Sequence, residues 1–223
     1  MNAYGPLHIT SPSGLVMQIN SNGSVRRIDH RDVTVNTFLG NELEGGPANL
    51  YLRRHGARIQ WTALLGPSSP GEVRADEQGI EIAGEWLGLR FRASLSLAAS
   101  APAWFWHVVL ENVSGASCRV DLVYAQDVAL ANYGAVRLNE YYVSQYIDHT
   151  PLKHPSLGAV LAMRQNLPVA GQHPWLCIGS LQYGESFCTD ALQLHGLSTR
   201  AGGSPAALEL ERLPGVRLSL IHI

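Results

Sequence analysis

Across residues 87–97 the chain alternates strictly. Leu87, Leu89, Phe91, Ala93, Leu95 and Leu97 take one parity, and Arg90, Arg92, Ser94 and Ser96 the other. Successive side chains of a strand point to opposite faces, so this pattern fits an extended segment with one dry face and one wet face. A slip of one residue would bury two arginines, which pins the register of any sheet built here. Similar segments recur along the chain between short runs of Gly, Pro, Ser and Asn, the pattern of antiparallel strands joined by tight turns.

Other strands follow by the same reasoning. Residues 104–112 place Trp104, Trp106, Val108 and Leu110 on one face and Phe105, His107, Val109 and Glu111 on the other. Apolar groups on both faces predict a central strand. Asn112-Val113-Ser114-Gly115 predicts a turn, and residues 118–128 a strand returning along 104–112 as a long hairpin. Residues 15–19 and 24–28 flank Ser21-Asn22-Gly23, where Asn-Gly supplies the positive φ that a tight hairpin needs. Shorter strands are expected over 49–54, 58–64, 73–76 and 79–82, with an exposed loop at 66–71. Helical periodicity is nearly absent. The best helical stretch, 135–145, reads equally as an irregular loop passing into a strand. No fixed-period repeat or heptad argues for a solenoid or propeller.

The chain has 223 residues, 46% of them apolar and 15% charged, which supplies hydrocarbon for a core and excludes a disordered chain. A single all-β sandwich commonly runs to about 200–250 residues. The expectation is therefore one all-β domain over residues 1–217, a large two-sheet antiparallel β-sandwich with little helix. Residues 218–223, LSLIHI, read as an adventitious tail left by truncation or by translated sequencing-adapter DNA. A net charge of −2, with no basic run longer than the pairs Arg26-Arg27 and Arg53-Arg54, predicts no nucleic-acid partner. Cys118, Cys177 and Cys188 are odd in number, widely spaced and set among apolar neighbours. They predict buried thiols, neither a disulfide framework nor a zinc site. The absence of a signal-like start and of any membrane-length apolar run makes cytoplasmic residence the expectation.

The densest polar and aromatic excursion is residues 124–152, YAQDVALANYGAVRLNEYYVSQYIDHTPL. Together with 36–54 (NTFLGNELEGGPANLYLRR) and 158–181 (GAVLAMRQNLPVAGQHPWLCIGSL), it resembles the amino-terminal β-sandwich region of glycoside hydrolase family 94. That family holds cellobiose phosphorylase-like and 1,2-β-oligoglucan phosphorylase-like enzymes and the phosphorylase-like portion of cyclic β-1,2-glucan synthases. The resemblance implies a galactose mutarotase-like sandwich that leads a larger enzyme. The chemistry would lie in a following (α/α)6 barrel that this chain lacks, with inorganic phosphate as co-substrate, a β-glucan oligosaccharide as substrate and a homodimeric parent. An inverting phosphorylase protonates the glycosidic oxygen while phosphate attacks the opposite face of the anomeric carbon. In the resembled family the proton donor is a barrel aspartate, so no catalytic residue is assigned here. Asp127, Asp148 and Asp190 read as strand-end or turn residues that bond local backbone.

Asn139, Glu140, Tyr141, Tyr142, Gln145, Tyr146, Asp148 and His149 are the candidates for contact with sugar or with a partner domain. Aromatic faces stack on pyranose rings, and amides and carboxylates pair with hydroxyls. The competing reading is a polar seam against the barrel or a second subunit. His107, His149, His154, His173 and His195 lack metal-ligand spacing, Gly45-Gly46 and Gly202-Gly203 lack a phosphate-loop context, and Ser180, Ser186 and Cys188 lack a nucleophile's setting. No metal, nucleotide or other cofactor is expected. Three functions remain open: a domain of a β-1,2-glucan phosphorylase-like enzyme, itself inactive; a stand-alone carbohydrate-binding module; and a mutarotase-like sugar epimerase. The last lacks the Asn/Thr/His signature associated with aldose 1-epimerases.

Overall fold

The computed structural model describes residues 5–76, 79–190, 194 and 205–215. The LSLIHI tail and His195 lie outside the described residues. The chain is built almost wholly of antiparallel strands with two short helices, as the alternation predicts. It divides into two compact units, one of residues 1–31 and 38–126, the other of 32–37 and 127–223.

In the first unit, β1 (Leu7–Thr10), β2 (Leu15–Ile19) and β3 (Val25–His30) form a meander. The Asn-Gly hairpin is as expected: Gly23 sits at φ +79°, and the Asn20 and Ser24 backbones close the turn at 2.9 Å. β5 (Ala48–His55) lies between β6 (Gln60–Ala63) and β11 (Arg119–Gln126). Six consecutive residues of β5, from Ala48 to Arg53, are buried. β7 (Gly71–Asp76), β8 (Gly79–Trp86), β9 (Leu89–Leu97) and β10 (Trp104–Asn112) form a further sheet in sequence order. Leu89, Phe91, Ala93 and Leu95 of β9 are buried and Arg90, Arg92 and Ser96 exposed, as the parity requires. Gly71 and Gly84 pair across β7 and β8 beneath the Phe91 ring. A β-carbon on Gly84 would stand 2.8 Å from the Gly71 α-carbon and 3.0 Å from that ring, so these glycines give Phe91 its space.

Three expectations for this unit are corrected. Leu87 does not join the dry face of β9. It occupies a two-residue turn with Gly88, at φ +50° and +75° respectively, and is 41% exposed. Two positive φ values match the right-handed twist of the flanking strands, and the turn overrides the parity of the side chain. β10 is not central but lies at the end of its sheet, with Val109 64% exposed. β10 and β11 form no hairpin ladder: β10 pairs with β9, whereas β11 pairs over its whole length with β5. The chain between them changes sheets through a loop closed by Asn112, whose amide donates to the Ala116 carbonyl at 2.7 Å. Across the step the Trp104 indole Nε1–H donates to the Tyr124 hydroxyl at 3.2 Å, an interaction of side chains where a ladder was expected.

In the second unit, β12 (Ile147–His154), β13 (Gly158–Gln165) and β14 (Trp175–Gly179) form an antiparallel sheet. The short strand β4 (Val33–Thr34) exchanges backbone bonds with Ala131 at 2.8 and 3.1 Å. Residues 133–144 form two helices, α1 (Tyr133–Leu138) and α2 (Glu140–Ser144), which decides between the helix and loop readings. A 3-10 turn covers Ala206–Glu209. The thiols are less buried than expected. Cys177 is exposed and Cys118 and Cys188 are partly exposed, because β14 turns Trp175 and Cys177 outward and Leu176 and Ile178 inward.

Candidate functional site

The helical excursion of the second unit is organised by two asparagines. Asn132 caps α1, its Oδ1 accepting from the Gly134 N–H at 2.9 Å. Asn139 ends α1 and starts α2: at φ −160° it leaves helical geometry, and its Oδ1 accepts from the Tyr142 N–H at 2.9 Å. A polar cap of this kind satisfies one of the otherwise unpaired N–H groups at a helix start. Glu140 lies in the first turn of α2, where negative charge is favoured by the exposed N–H groups. Gln145 closes the last turn through its backbone N–H to the Tyr141 carbonyl at 3.2 Å.

Val136 and Val143 point into a small apolar cluster with Ala129 and Ala131. The rest of the helix pair faces outward, with Leu138 89%, Tyr141 75% and Tyr142 48% exposed. Beneath it stands Gln165, fully buried at the end of β13. Its Nε2 donates to the Ala129 carbonyl at 2.7 Å and the Val143 carbonyl at 3.1 Å, and its Oε1 accepts from the Leu167 N–H at 2.9 Å. One amide thus bonds the segment before α1, the end of α2 and the chain leaving β13. Buried polar groups are costly unless paired, and here both the amide and its backbone partners are satisfied.

The predicted site residues divide between scaffold and surface. Asn139 and Gln145 serve the helix backbone, and Glu140 its first turn. Tyr141 is open to solvent, and Tyr142 and Tyr146 stack with ring centroids 4.9 Å apart and planes at 56°. The Tyr142 hydroxyl, by hydrogen bonding and by charge, holds the Tyr146 phenol above its ordinary value. His149 pairs with Met163 across the ladder, and its buried Nδ1 has no hydrogen-bond partner among the described residues. Burial pulls its imidazole below the ordinary value, outweighing the neighbouring Asp148 carboxylate, so the ring is neutral at pH 7. Asp148 bonds a side chain rather than local backbone: its Oδ2 accepts from Asn166 Nδ2 at 2.7 Å.

Three residues that the candidate set omitted, Arg164, Asn166 and Trp175, complete this surface beside Asp148. Asp148, Arg164 and Trp175 stand opposite one another across β12, β13 and β14. The Arg164 guanidinium lies 5.9 Å from the Trp175 ring centroid and donates to Asn166 Oδ1 at 2.9 Å. The Asn166 backbone N–H donates to the Tyr146 carbonyl at 2.9 Å, tying the row to the helical excursion. With Gln165 below, these positions were marked by parity alone: the strand pattern of residues 175–179 turns Trp175 outward, and Gln165 shares the covered parity of Met163.

Among the described residues the site offers hydrogen bonds and aromatic faces but no paired nucleophile and base. Among the described residues no group of three or more His, Cys, Asp or Glu is placed to hold a metal ion. Burial, with Asp190 beside it, pushes the Cys188 thiol up, which keeps it protonated and unreactive. No helix among the described residues is long and apolar enough to cross a membrane.

The chain is, in class, an antiparallel all-β protein. The chain belongs to the SOGP N-terminal domain family, which it matches over residues 18–219. It is 32% identical over 193 residues to a 1,2-beta-oligoglucan phosphorylase of Listeria innocua serovar 6a (strain ATCC BAA-680 / CLIP 11262). The match covers 86% of this chain and 17% of that relative, so the chain spans about a sixth of the length of the curated protein it matches.

Proposed function

We propose that this chain is the amino-terminal, non-catalytic domain of an inverting β-glucan phosphorylase-like enzyme of glycoside hydrolase family 94. The parent would convert β-1,2-linked gluco-oligosaccharides and inorganic phosphate to glucose 1-phosphate in a separate (α/α)6 barrel, in the cytoplasm. The observation that carries this reading is the match of 86% of the chain to a small share of a protein named for oligoglucan phosphorolysis. The domain's role is then packing, dimerisation and bordering of the active site. The outward face of α1 and α2, with Leu138, Tyr141 and Tyr142 exposed above a pinned base, supports a contact seam against the barrel or a second subunit.

The experiment is direct. The 223-residue chain, incubated with sophoro-oligosaccharides and phosphate, releases no glucose 1-phosphate, whereas a full-length enzyme carrying this domain does. Release by the chain alone overturns the assignment of the chemistry to a barrel. In a full-length enzyme carrying this domain, Leu138→Glu combined with Tyr141→Ser weakens dimerisation or barrel docking, read as a change in sedimentation or a loss of cooperative unfolding.

A further inference from the structure

We infer that the row Asp148, Arg164 and Trp175, with Asn166, is a carbohydrate subsite that takes one glucosyl unit of an oligosaccharide on the open face of β12, β13 and β14. The inference deepens the glucan-phosphorylase reading and rests on it for the identity of the sugar, but its argument is local. Trp175 is 60% exposed, a large apolar ring left in water on a rigid strand. Its position is set from one side by the Arg164 guanidinium 5.9 Å from the ring centroid. Arg164 is itself held by Asn166 Oδ1 at 2.9 Å, and the Asn166 amide holds Asp148 Oδ2 at 2.7 Å. Three polar side chains are thus fixed in one chain of bonds beside an aromatic plane.

The free valences match a sugar. Asp148 is exposed, and its Oδ1 takes no hydrogen bond among the described residues. Arg164 spends one of its five N–H groups on Asn166 and keeps others for a second acceptor. A carboxylate that accepts, a guanidinium that donates and a flat ring that stacks are what a β-glucopyranose presents partners for. Its hydroxyls are all equatorial, and each face carries axial C–H groups. An apolar face with a few fixed polar groups is the general build of a small-ligand site. The next cross-strand row is Thr150, Ala162 and Cys177, of which Thr150 and Cys177 are exposed and Ala162 is buried. The α1–α2 face differs in kind: Leu138 and Tyr141 are exposed without fixed polar partners, which suits a protein.

The test is titration of the 223-residue chain with a linear β-1,2-gluco-oligosaccharide, with a β-1,4-linked oligosaccharide as comparator. Binding is followed by calorimetry and by the indole N–H resonance of Trp175, assigned from its loss in Trp175→Phe. Saturable binding that moves this resonance is expected. Trp175→Ala should lower the association constant at least about tenfold, and Asp148→Ala several-fold, while Trp175→Phe retains most of it. Far-UV dichroism checks that each variant is folded, which the exposure of these side chains favours. Equal affinity in Trp175→Ala, or no binding of either oligosaccharide at millimolar concentration, overturns the subsite. Preference for the β-1,4 comparator supports the subsite and counts against the β-1,2 reading. Failure of a full-length enzyme carrying this domain to release glucose 1-phosphate sinks the phosphorylase reading and leaves a binding result standing.

Discussion

Removing the Gln165 amide tests how the helical excursion is held. In Gln165→Leu the side chain keeps nearly its volume but loses two donor bonds and one acceptor bond. The Ala129 carbonyl loses this partner in a buried setting at a cost of about 1–2 kcal/mol, and the Val143 carbonyl, which keeps the Tyr146 N–H at 3.3 Å, loses one of its bonds at about 0.5–1 kcal/mol. The Leu167 N–H is only half-buried and recovers water. The added apolar surface returns about 1 kcal/mol. The net loss is about 0.5–2 kcal/mol, set against the roughly 5–15 kcal/mol that holds a domain together. Hydrogen exchange at residues 139–146 should rise about 2- to 30-fold, and the urea midpoint should fall. Gln165→Glu sharpens the test, because its acceptor oxygens face two carbonyls and only the protonated acid can donate. Its folded-state pKa is therefore raised. The stability it retains is present in full below about pH 4, where the unfolded carboxyl is also protonated, and is lost as pH rises through the folded value. An unchanged midpoint and unchanged exchange in Gln165→Leu, or a Gln165→Glu variant indifferent to pH, would refute the claim that this amide fastens the helices.

Other outcomes follow from the same structure. Burial works to raise the Asp121 carboxyl, but the hydrogen bonds and charges of Arg53 and His55 outweigh it and hold it below 3.8. Asp121 therefore stabilises the first unit above that value and ceases to as pH falls through its folded pKa. Asp121→Asn should cost about 2 kcal/mol at pH 7, discounted because the carboxylate is partly solvated, with the difference from wild type closing in acid urea titrations. By contrast Glu111→Gln, which breaks the exposed pair with Arg90 at 2.7 Å, should cost under about 0.5 kcal/mol by the same method. Leu87→Asn should stabilise by about 0.5–1 kcal/mol, read from the urea midpoint, since Asn tolerates the positive φ that Leu holds there. The His149 ring should titrate below 6.5 by proton NMR, and its protonation should destabilise the fold as pH falls through that lower value.

Most of the β architecture was legible because its signals are local. The parity of residues 89–97 and the Asn-Gly turn at 22–23 needed no tertiary information, and both strands and hairpin stand where they were expected. Leu87 misled because its parity matches the dry face while the two-residue turn lacks the usual Asn-Gly signature. The pairing of β11 with β5 was not legible, since the ladder joins residues about 60–80 positions apart and each strand alone is compatible with several neighbours. One apolar face of β10 carries a lateral contact, Trp104 with Tyr124 of another sheet, while Val109 on the other face is exposed, and a strand's own pattern does not separate this from centrality.

The site was half legible for a related reason. Composition drew attention to residues 139–149 because polar and aromatic side chains crowd there, yet Asn139 and Gln145 mainly serve the helix backbone. The groups that create a rigid, solvent-facing chemistry come from two other strands, at Arg164 and Trp175, and only the ladder register sets them beside Asp148. Crowding in sequence therefore marked the segment that needed capping. The surface that can recognise a ligand arises where the sheet brings separate, individually ordinary residues into one row, and its aromatic and polar members are ordered before any ligand arrives. That ordering lowers the conformational cost of binding, which is why the row, rather than the denser helical cluster, is the stronger place to look for a sugar.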